Sequence, residues 1–354
     1  MPDHISVYDR TRSYTWNYDH PPAAGRTDLK QTFDNCHFCR LPVDSPLGIS
    51  AGPLLNGRWC LYYASLGFDV LTYKTVRSRY RTCYEMPNLQ PVSCGQLSGS
   101  ETQLRTSKVM QGSWAVSFGM PSQDPDVWRA DVEWTRSQLP TGKLLSVSVV
   151  GTTATAAASI HELADDYARC AKWAVESGAD CIETNFSCPN VTTNDGQLFQ
   201  QPDDAQLVAQ AVRSIIGDIP YIVKIGRIPD RSAATALIHS LAPFVDSLAM
   251  TNSITATVAD PHANLLFDGQ PRGICGDAVR TASILQTAMF AEIIKEQDLT
   301  LRLIGVGGIS KAEHVREYLA AGAEAVHLAT AAMINPSVGQ QIKDDLMRSA
   351  TLAD

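Results

Sequence analysis

The chain has 354 residues, with 44% hydrophobic and 19% charged residues, a composition that excludes a disordered protein and predicts a large folded core. Its formal net charge is −8 without any basic run, so neither nucleic acid nor an anionic membrane surface is expected as a partner. No apolar stretch approaches the roughly 18 to 20 residues of a membrane span. Residues 1–30 lack the apolar core of a leader peptide, and a cytoplasmic protein is therefore expected.

The cysteines also indicate a cytoplasmic protein. Nine are scattered through the chain, which favours a reduced protein over a disulfide scaffold. Cys36 and Cys39 form a CxxC pair, but no second pair follows at a spacing that would complete a zinc site. A redox pair should begin a helix in a thioredoxin-like unit, and none is predicted here. We expect no metal site.

Short apolar strands alternate with helical patterns from residue 46 to near the end of the chain. The predicted strands are 46–53, 68–76, 143–151, 181–188, 221–226, 247–253, 301–309 and 325–332. The predicted helices are 58–67, 124–139, 159–179, 203–216, 231–244, 281–297, 311–323 and 336–349. Two helix starts carry clear signals, which are Asp124 before Pro125 and the capping-box pair Ser159 and Glu162.

Eight strand–helix units predict an α/β fold, a closed parallel (β/α)8 TIM barrel. A doubly wound open sheet is the alternative, but it would place a GxGxxG after the first strand, where this chain reads SAGPLLNGRW. Residues 1–45 are expected to form an N-terminal arm or cap, and residues 46–354 a single barrel domain. Within that domain, residues 77–123 are expected to form an irregular insertion over the barrel mouth.

In such barrels the reacting groups lie at the carboxyl ends of the strands. The residues at those ends are Ser50, Gly52, Lys74, Thr75, Ser148, Asn185, Cys188, Lys224, Asn252, Ser253, Gly307, Gly308, Ala329 and Thr330. Small residues in GVGGI and LATA expose backbone N–H groups, as a phosphate site requires, and Gly273 and Gly276 add to them.

Each of these residues also has a structural explanation. The glycines can simply form turns, the lysines Lys74 and Lys224 can form ion pairs inside the barrel, and Asn252 and Ser253 can cap a loop. A lysine at the end of an apolar strand is costly without a negative partner. Because all of these groups lie on one rim, they favour a phosphate-bearing, electron-rich cofactor.

Seven motifs also resemble the dihydroorotate dehydrogenases, and a related catalytic domain occurs in dihydropyrimidine dehydrogenase. The motifs follow the order of that family over residues 40–345, approximately, and they are TYKTV, VSFGMPS, ETNFSCPN, IVKIG, MTNSI, GVGGI and LATA. The resemblance implies an FMN-dependent barrel in which a substrate ring stacks on the flavin. It also implies a homodimer.

The resemblance assigns roles residue by residue. Those implied to bind FMN are Ser50, Ala51, Gly52, Lys74, Thr75, Lys224, Gly273, Gly276, Gly307, Gly308, Ala329 and Thr330, the last six around the phosphate. Those implied to bind substrate are Phe118, Gly119, Met120, Asn185, Asn190, Asn252 and Ser253. Lys74 would touch both flavin and substrate, and Cys188 would be the general acid/base. A serine occupies that position in the membrane-associated branch, so Cys188 implies the soluble, cysteine-base class 1 branch.

The chemistry agrees with these roles, because desaturating a C–C bond beside a carbonyl needs a hydride acceptor and a base. Val116 departs from the family, which has an asparagine there that hydrogen-bonds the pyrimidine edge. The substrate therefore stays open between dihydroorotate or a dihydropyrimidine and a different enamide-type compound. A flavin-free lyase or aldolase with a Schiff base on Lys74 or Lys224 is a remote alternative. A catalytically silent barrel is opposed by the intact asparagine, cysteine and lysines.

Overall fold

The computed structural model describes residues 7–25, 32–34, 36–153, 158–187 and 194–351. Within them, eight parallel strands close into a barrel, which confirms the predicted fold. The barrel strands are β1 (Leu47–Ile49), β2 (Val70–Val76), β3 (Leu144–Val149), β4 (Cys181–Asn185), β5 (Tyr221–Lys224), β6 (Ser247–Met250), β7 (Arg302–Val306) and β8 (Ala325–Leu328). They neighbour one another in chain order, and β8 pairs with β1 to close the ring.

The described helices cover the outside of the barrel, apart from the first, which belongs to the N-terminal arm, and the short ninth, which lines the mouth of the barrel. They are α1 (Tyr14–Asp19), α2 (Gly57–Ser65), α3 (Pro125–Gln138), α4 (Ile160–Glu176), α5 (Pro202–Ile216), α6 (Arg231–Leu241), α7 (Arg280–Glu296), α8 (Ala312–Ala320), α9 (Thr330–Ile334) and α10 (Val338–Thr351). Ser159 and Glu162 form the predicted capping box at the start of α4. Asp124 precedes α3 as predicted, but its side chain makes no capping hydrogen bond. Among the described helices, none combines the length and apolar character needed to cross a bilayer.

The amino-terminal end of the barrel is closed by a short hairpin, His37–Phe38 paired with Leu41–Pro42. Phe38 and Cys39 are fully buried in a cluster with inward-facing barrel residues such as Val70 and Ile222. The thiol of Cys39 lies 3.1 Å from the hydroxyl of Ser247. This cysteine of the CxxC pair therefore packs against the amino-terminal end of the barrel and helps to close it.

A buried ionic cluster joins the last helix to the barrel. Asp69, just before β2, accepts hydrogen bonds from Lys143 and Lys343, each at 2.5 Å. Ser45 also donates to this carboxylate. All of these side chains are buried, and burial lowers the pKa of Lys343. Because one carboxylate serves two ammonium groups, its loss would leave two buried charges uncompensated.

The insertion over the mouth contains more regular structure than predicted. Residues 77–123 hold three strands, Leu89–Ser93, Gln103–Thr106 and Ser113–Val116. They join Ile254–Ala259 and Arg272–Gly276, from the loop after β6, in a second, smaller closed sheet. The prediction of an irregular segment was wrong because two of these short strands find partners far along the chain; Val116 pairs with Gly273, and Leu104 pairs with Val258. The division into an arm of residues 1–45 and one domain of residues 46–354 stays a prediction.

Candidate active site

A cavity of about 280 Å³ opens at the carboxyl ends of the barrel strands, beneath the small sheet. Ten of the residues predicted from the sequence line it: Ser50, Gly52, Phe118, Lys224, Asn252, Gly276, Gly307, Gly308, Ala329 and Thr330. The fold therefore brings residues from both ends of the chain onto one wall, as expected for the mouth of a barrel.

Other predicted residues lie beside the cavity and do not line it. Lys74 and Thr75 border a smaller pocket under the N-terminal arm, and Ser253 lines a separate polar cavity of about 480 Å³ that also contains Arg227. Ala51 is buried next to Ser50 and Gly52. Gly273 is paired with Val116 and Thr255 inside the small sheet, away from the other glycines' wall. Gly119, Met120 and Asn185 pack together, as described below. Cys188 and Asn190 lie outside the described residues.

One end of the cavity is a wall of small residues after β7 and β8. Gly308 has a φ of +70°, and a Cβ there would lie 2.5 Å from the Cβ of Arg280, so only glycine fits. Tyr318 holds the wall from behind, because its hydroxyl donates to the carbonyl of Gly307 at 2.7 Å. Ser283 likewise donates to the carbonyl of Val306 at 2.6 Å. The backbone is thus presented to the cavity without intervening side chains, which suits an anionic group.

Lys224 and Glu183 form a buried ion pair inside the barrel. Their side chains are 6% and 1% exposed, and the ammonium nitrogen lies 3.8 Å from Oε1 of Glu183. At this distance the charges compensate one another without a hydrogen bond. Glu183 is therefore the negative partner that Lys224 needs inside the barrel. Lys224 can still direct its ammonium group into the cavity that it lines.

Lys74 lies at a register shift in β2. The pairing of β2 with β3 runs from Tyr73 opposite Val147 to Val76 opposite Val149, so Lys74 and Thr75 together face Ser148. Thr75 and Ser148 are hydrogen-bonded at 3.0 Å. The ammonium group of Lys74 lies 4.6 Å from the ring centre of Phe118 and 5.1 Å from that of Tyr14. The Lys74 cation therefore contacts two aromatic rings, one from the arm and one from the insertion.

The 117–122 loop is fixed by a buried arginine. Arg77 is fully buried, and its Nε donates to the carbonyl of Met120 at 3.1 Å. Gly119 has a φ of +71°, and a Cβ there would lie 2.7 Å from the ring of Tyr84. The amide of Asn185 in turn contacts the sulfur of Met120 at 3.5 Å. The backbone of this loop is therefore held rigidly at the cavity edge.

Two asparagines hold the chain at the end of β4. The side chain of Asn185 accepts from the backbone N–H of Ser187 at 3.0 Å. The side chain of Asn252 donates to the carbonyl of Ser187 at 2.6 Å. Ser187 is buried, so the residues that lead into position 188 are anchored on both sides.

The cavity also has lining residues that the sequence did not single out. Leu89 and Trp114 form an apolar wall with Val116, which the sequence had already marked as a departure from the family, and Cys275 and His327 add polar atoms. Burial raises the pKa of Cys275 to about 11, despite Lys224, so its thiol stays protonated and donates to the carbonyl of Asn252 at 3.6 Å. The position of Cys275, between Gly273 and Gly276, was a signal that could have found it.

The chain is similar to known proteins over most of its length. A family model described as dihydroorotate dehydrogenase matches residues 101–349. A dihydroorotate dehydrogenase of Dictyostelium discoideum is 29% identical over 95% of this chain and 96% of its own length. The catalytic subunit of dihydroorotate dehydrogenase B (NAD(+)) from Solidesulfovibrio magneticus is 31% identical, but the match covers 52% of this chain and 58% of that subunit.

Among solved structures, a DHODH of Eimeria tenella in complex with ferulenol superposes with a TM-score of 0.73 over 96% of this chain and 90% of that chain. At 17% identity this likeness concerns the fold. The family model, which spans most of the barrel, confirms the family indicated by the sequence motifs. The chain therefore belongs to the dihydroorotate dehydrogenase family and is a flavin-dependent oxidoreductase.

Proposed function

We propose that this protein binds FMN in the mouth cavity and removes or adds two hydrogens across a C–C bond beside an amide carbonyl, with dihydroorotate as the first substrate to test. The observation that carries the proposal is the convergence on one cavity of the glycine wall, the buried cation Lys224 and the Asn252 amide. Membership of the dihydroorotate dehydrogenase family supports the same chemistry.

The cavity fits a flavin mononucleotide by the character of its walls. The glycine wall of Gly276, Gly307 and Gly308 suits the phosphate, and the apolar stretch suits a flat aromatic ring system. Ser50 and His327 contribute buried side-chain atoms that have no hydrogen-bond partner among the described residues. Buried polar groups are normally satisfied, so these atoms point to a polar ligand. When bound, FMN would supply the hydride acceptor that the protein itself lacks.

The chain's own residues would then position the substrate and move a proton. Asn185 and Asn252 would orient the substrate amides, together with Asn190 and Ser253, and the rigid 117–122 loop (Phe118, Gly119 and Met120) would close one side. Lys224 would hold positive charge beside the flavin, paired at long range with Glu183, and Lys74 would contact flavin and substrate. Ser50, Ala51, Gly52, Thr75, Ala329 and Thr330 would complete the flavin site, whereas Gly273, which is paired inside the small sheet, would support it from outside the cavity.

We assign the acid/base role to Cys188. Ser187, the residue before it, is anchored by Asn252, and a thiol with a pKa of about 8.5 in the unperturbed state can exchange a proton near neutral pH. This assignment follows the motif ETNFSCPN, and a cysteine at this position supports the cysteine-base class 1 branch. Cys275 is the less suitable thiol, because its raised pKa and its hydrogen bond to Asn252 hold it in the protonated form.

One observation favours a second substrate class. Val116 lines the cavity together with Leu89 and Trp114, so the side where the family has an amide is apolar here. A pyrimidine ring facing this wall would leave a ring amide unpaired, at a cost of about 1–3 kcal/mol. An enamide-type compound with a hydrocarbon edge would bury that edge instead.

The test begins with the purified protein, from which the flavin is released and identified by mass. Under anaerobic conditions the yellow protein is then mixed with dihydroorotate, dihydrouracil and other saturated amides, and loss of the oxidised flavin absorption is followed. Bleaching by dihydroorotate supports the first candidate, and bleaching only by other amides supports the second. A protein without flavin would refute both, and a borohydride-trapped substrate adduct would instead identify a Schiff-base lyase.

Cys188→Ala tests the proton-transfer role. Turnover should fall by about 10²- to 10⁴-fold, the usual contribution of a general acid or base, while flavin binding is retained. Cys94→Ala, at a half-buried thiol that does not line the mouth cavity, is the matched control and should keep its rate. Unchanged turnover in Cys188→Ala would remove this residue from the mechanism.

A homodimer in the cytoplasm completes the proposal. The described cysteines are free thiols, which suits a reducing compartment. Sedimentation of the purified protein at micromolar concentration should give the mass of two chains, and a single-chain mass would contradict the proposed assembly.

A further inference from the structure

His327 lies on β8 in the wall of the mouth cavity, and apart from its unsatisfied ring nitrogens no part in binding has been assigned to it above. Its side chain is 1% exposed, and neither ring nitrogen has a hydrogen-bond partner among the described residues. Buried polar atoms are normally satisfied by protein, water or ligand. A fully buried imidazole that faces a cavity therefore indicates a partner inside that cavity.

The imidazole is held in place by two neighbours matched to its shape. The ring of Phe38, from the hairpin that closes the barrel floor, stacks on it with 5.4 Å between ring centres and 18° between planes. Gly48 on the adjoining strand makes room for it, because a Cβ there would lie 2.4 Å from Cδ2 of His327. The ring is therefore a rigid part of the cavity floor, and it is available to a ligand without rearrangement.

The two polar residues of the cavity floor, His327 and Lys224, differ in charge. Burial, and to a lesser extent the positive charge of Lys224, lowers the pKa of His327 to about 3. The imidazole is therefore neutral at physiological pH, with one N–H donor and one acceptor nitrogen. Lys224 lines the same cavity and is the cation. A ligand that satisfies both must present a polar edge with donors and acceptors close together.

We propose that His327 is a cofactor-binding residue that hydrogen-bonds to the pyrimidine edge of FMN from the cavity floor, next to Lys224. This inference rests on the proposed function. The pyrimidine edge is the polar edge of the isoalloxazine, since the opposite edge carries methyl groups. Its carbonyls and ring nitrogens match a neutral donor–acceptor group beside a cation. His327 thus fixes which end of the ring system lies over Lys224.

Two variants separate this role from packing. His327→Gln keeps a donor and an acceptor, whereas His327→Leu removes both at similar volume. FMN is titrated onto the flavin-free full-length proteins, and its dissociation constant is measured from the quenching of flavin fluorescence. We expect His327→Leu to bind FMN about tenfold more weakly, equivalent to 1.4 kcal/mol, and His327→Gln to stay within about threefold of the wild type. His239→Leu, at an exposed histidine on α6, is the control and should bind as the wild type.

Thermal unfolding provides a second measurement, because weaker FMN binding and a loss of packing change the unfolding temperature in different ways. Without FMN, His327→Leu should unfold at the same temperature as the wild type or higher, because it removes unsatisfied buried nitrogens. When the same saturating concentration of FMN is added, the unfolding temperature of His327→Leu should rise by less than that of the wild type. A variant destabilised equally with and without FMN has lost packing only and overturns the inference, as do equal dissociation constants for all proteins. Should the wild type itself bind no FMN, the proposed function fails instead.

Discussion

An alanine at position 48 would collide with the floor of the active site. Its Cβ would lie 2.4 Å from Cδ2 and 2.6 Å from Nε2 of His327, and 2.9 Å from the backbone oxygen of Val70. Val70 is paired with Gly48 in the barrel, and the His327 ring is stacked on Phe38, so neither neighbour can move freely. Overpacking of this kind costs about 1–3 kcal/mol, and we expect Gly48→Ala to lie toward the upper end.

A double-mutant cycle isolates the contact. The free energy of unfolding in urea is measured without flavin for the wild type, Gly48→Ala, His327→Ala and the double variant. Removing the ring removes the two shortest contacts of the methyl group and leaves the one with the oxygen of Val70, so the double variant should be more stable than the sum of the single changes by about 1–2 kcal/mol. Gly95→Ala is the control, because a Cβ there meets no atom within 4 Å. Additive single changes, or a Gly48→Ala variant as stable as the wild type, would refute the packing of His327 against β1.

Three further predictions concern pH, the buried ionic cluster and specificity. Because the pKa of His327 is lowered to about 3 in the folded protein, the unfolded chain takes up its proton first as the pH falls below about 6.5. The flavin-free wild type should therefore lose about 2 kcal/mol more stability between pH 7 and pH 5 than His327→Gln does, and equal losses in urea unfolding would contradict the lowered pKa. Asp69→Asn should destabilise the protein by about 3–5 kcal/mol and by more than Lys143→Met or Lys343→Met, since it alone leaves two buried lysines unpaired; a reversed order in urea titrations would disprove the shared carboxylate. Val116→Asn should raise kcat/KM for dihydroorotate by about 5- to 150-fold if a ring amide is otherwise unpaired, an effect of about 1–3 kcal/mol, and an unchanged value would favour the non-pyrimidine substrate.

The barrel was readable in the sequence because its signals are local. Each strand is a short apolar run and each helix carries its own periodicity and caps, as Ser159 and Glu162 show for α4. The rim residues followed from this reading, since in a parallel barrel all strands end on the same side. Ser50 near the start of the chain and Thr330 near its end could therefore be placed together before any contact was known.

The small sheet could not be read in the same way. Leu89–Ser93 contains Pro91 and resembles a loop, and it pairs with the two other strands of the insertion, which in turn pair with strands from the loop after β6. Strand pairing of this kind depends on which edges the barrel brings together. The same sheet covers the cavity with Trp114 and Val116; the sequence marked Val116 alone, and so the apolar wall as a whole was not predicted.

By itself, the sequence determined the barrel, the flavin-dependent family and most of the rim. Strand order and strand ends place the rim residues, and this placement does not depend on the direction of their side chains. Only the tertiary structure decided the partners of the buried groups. Lys224 meets Glu183, Lys74 meets the rings of Phe118 and Tyr14, and His327 fits over a residue without a side chain, Gly48. These pairings depend on distances of a few ångströms across the closed ring, which no local pattern records.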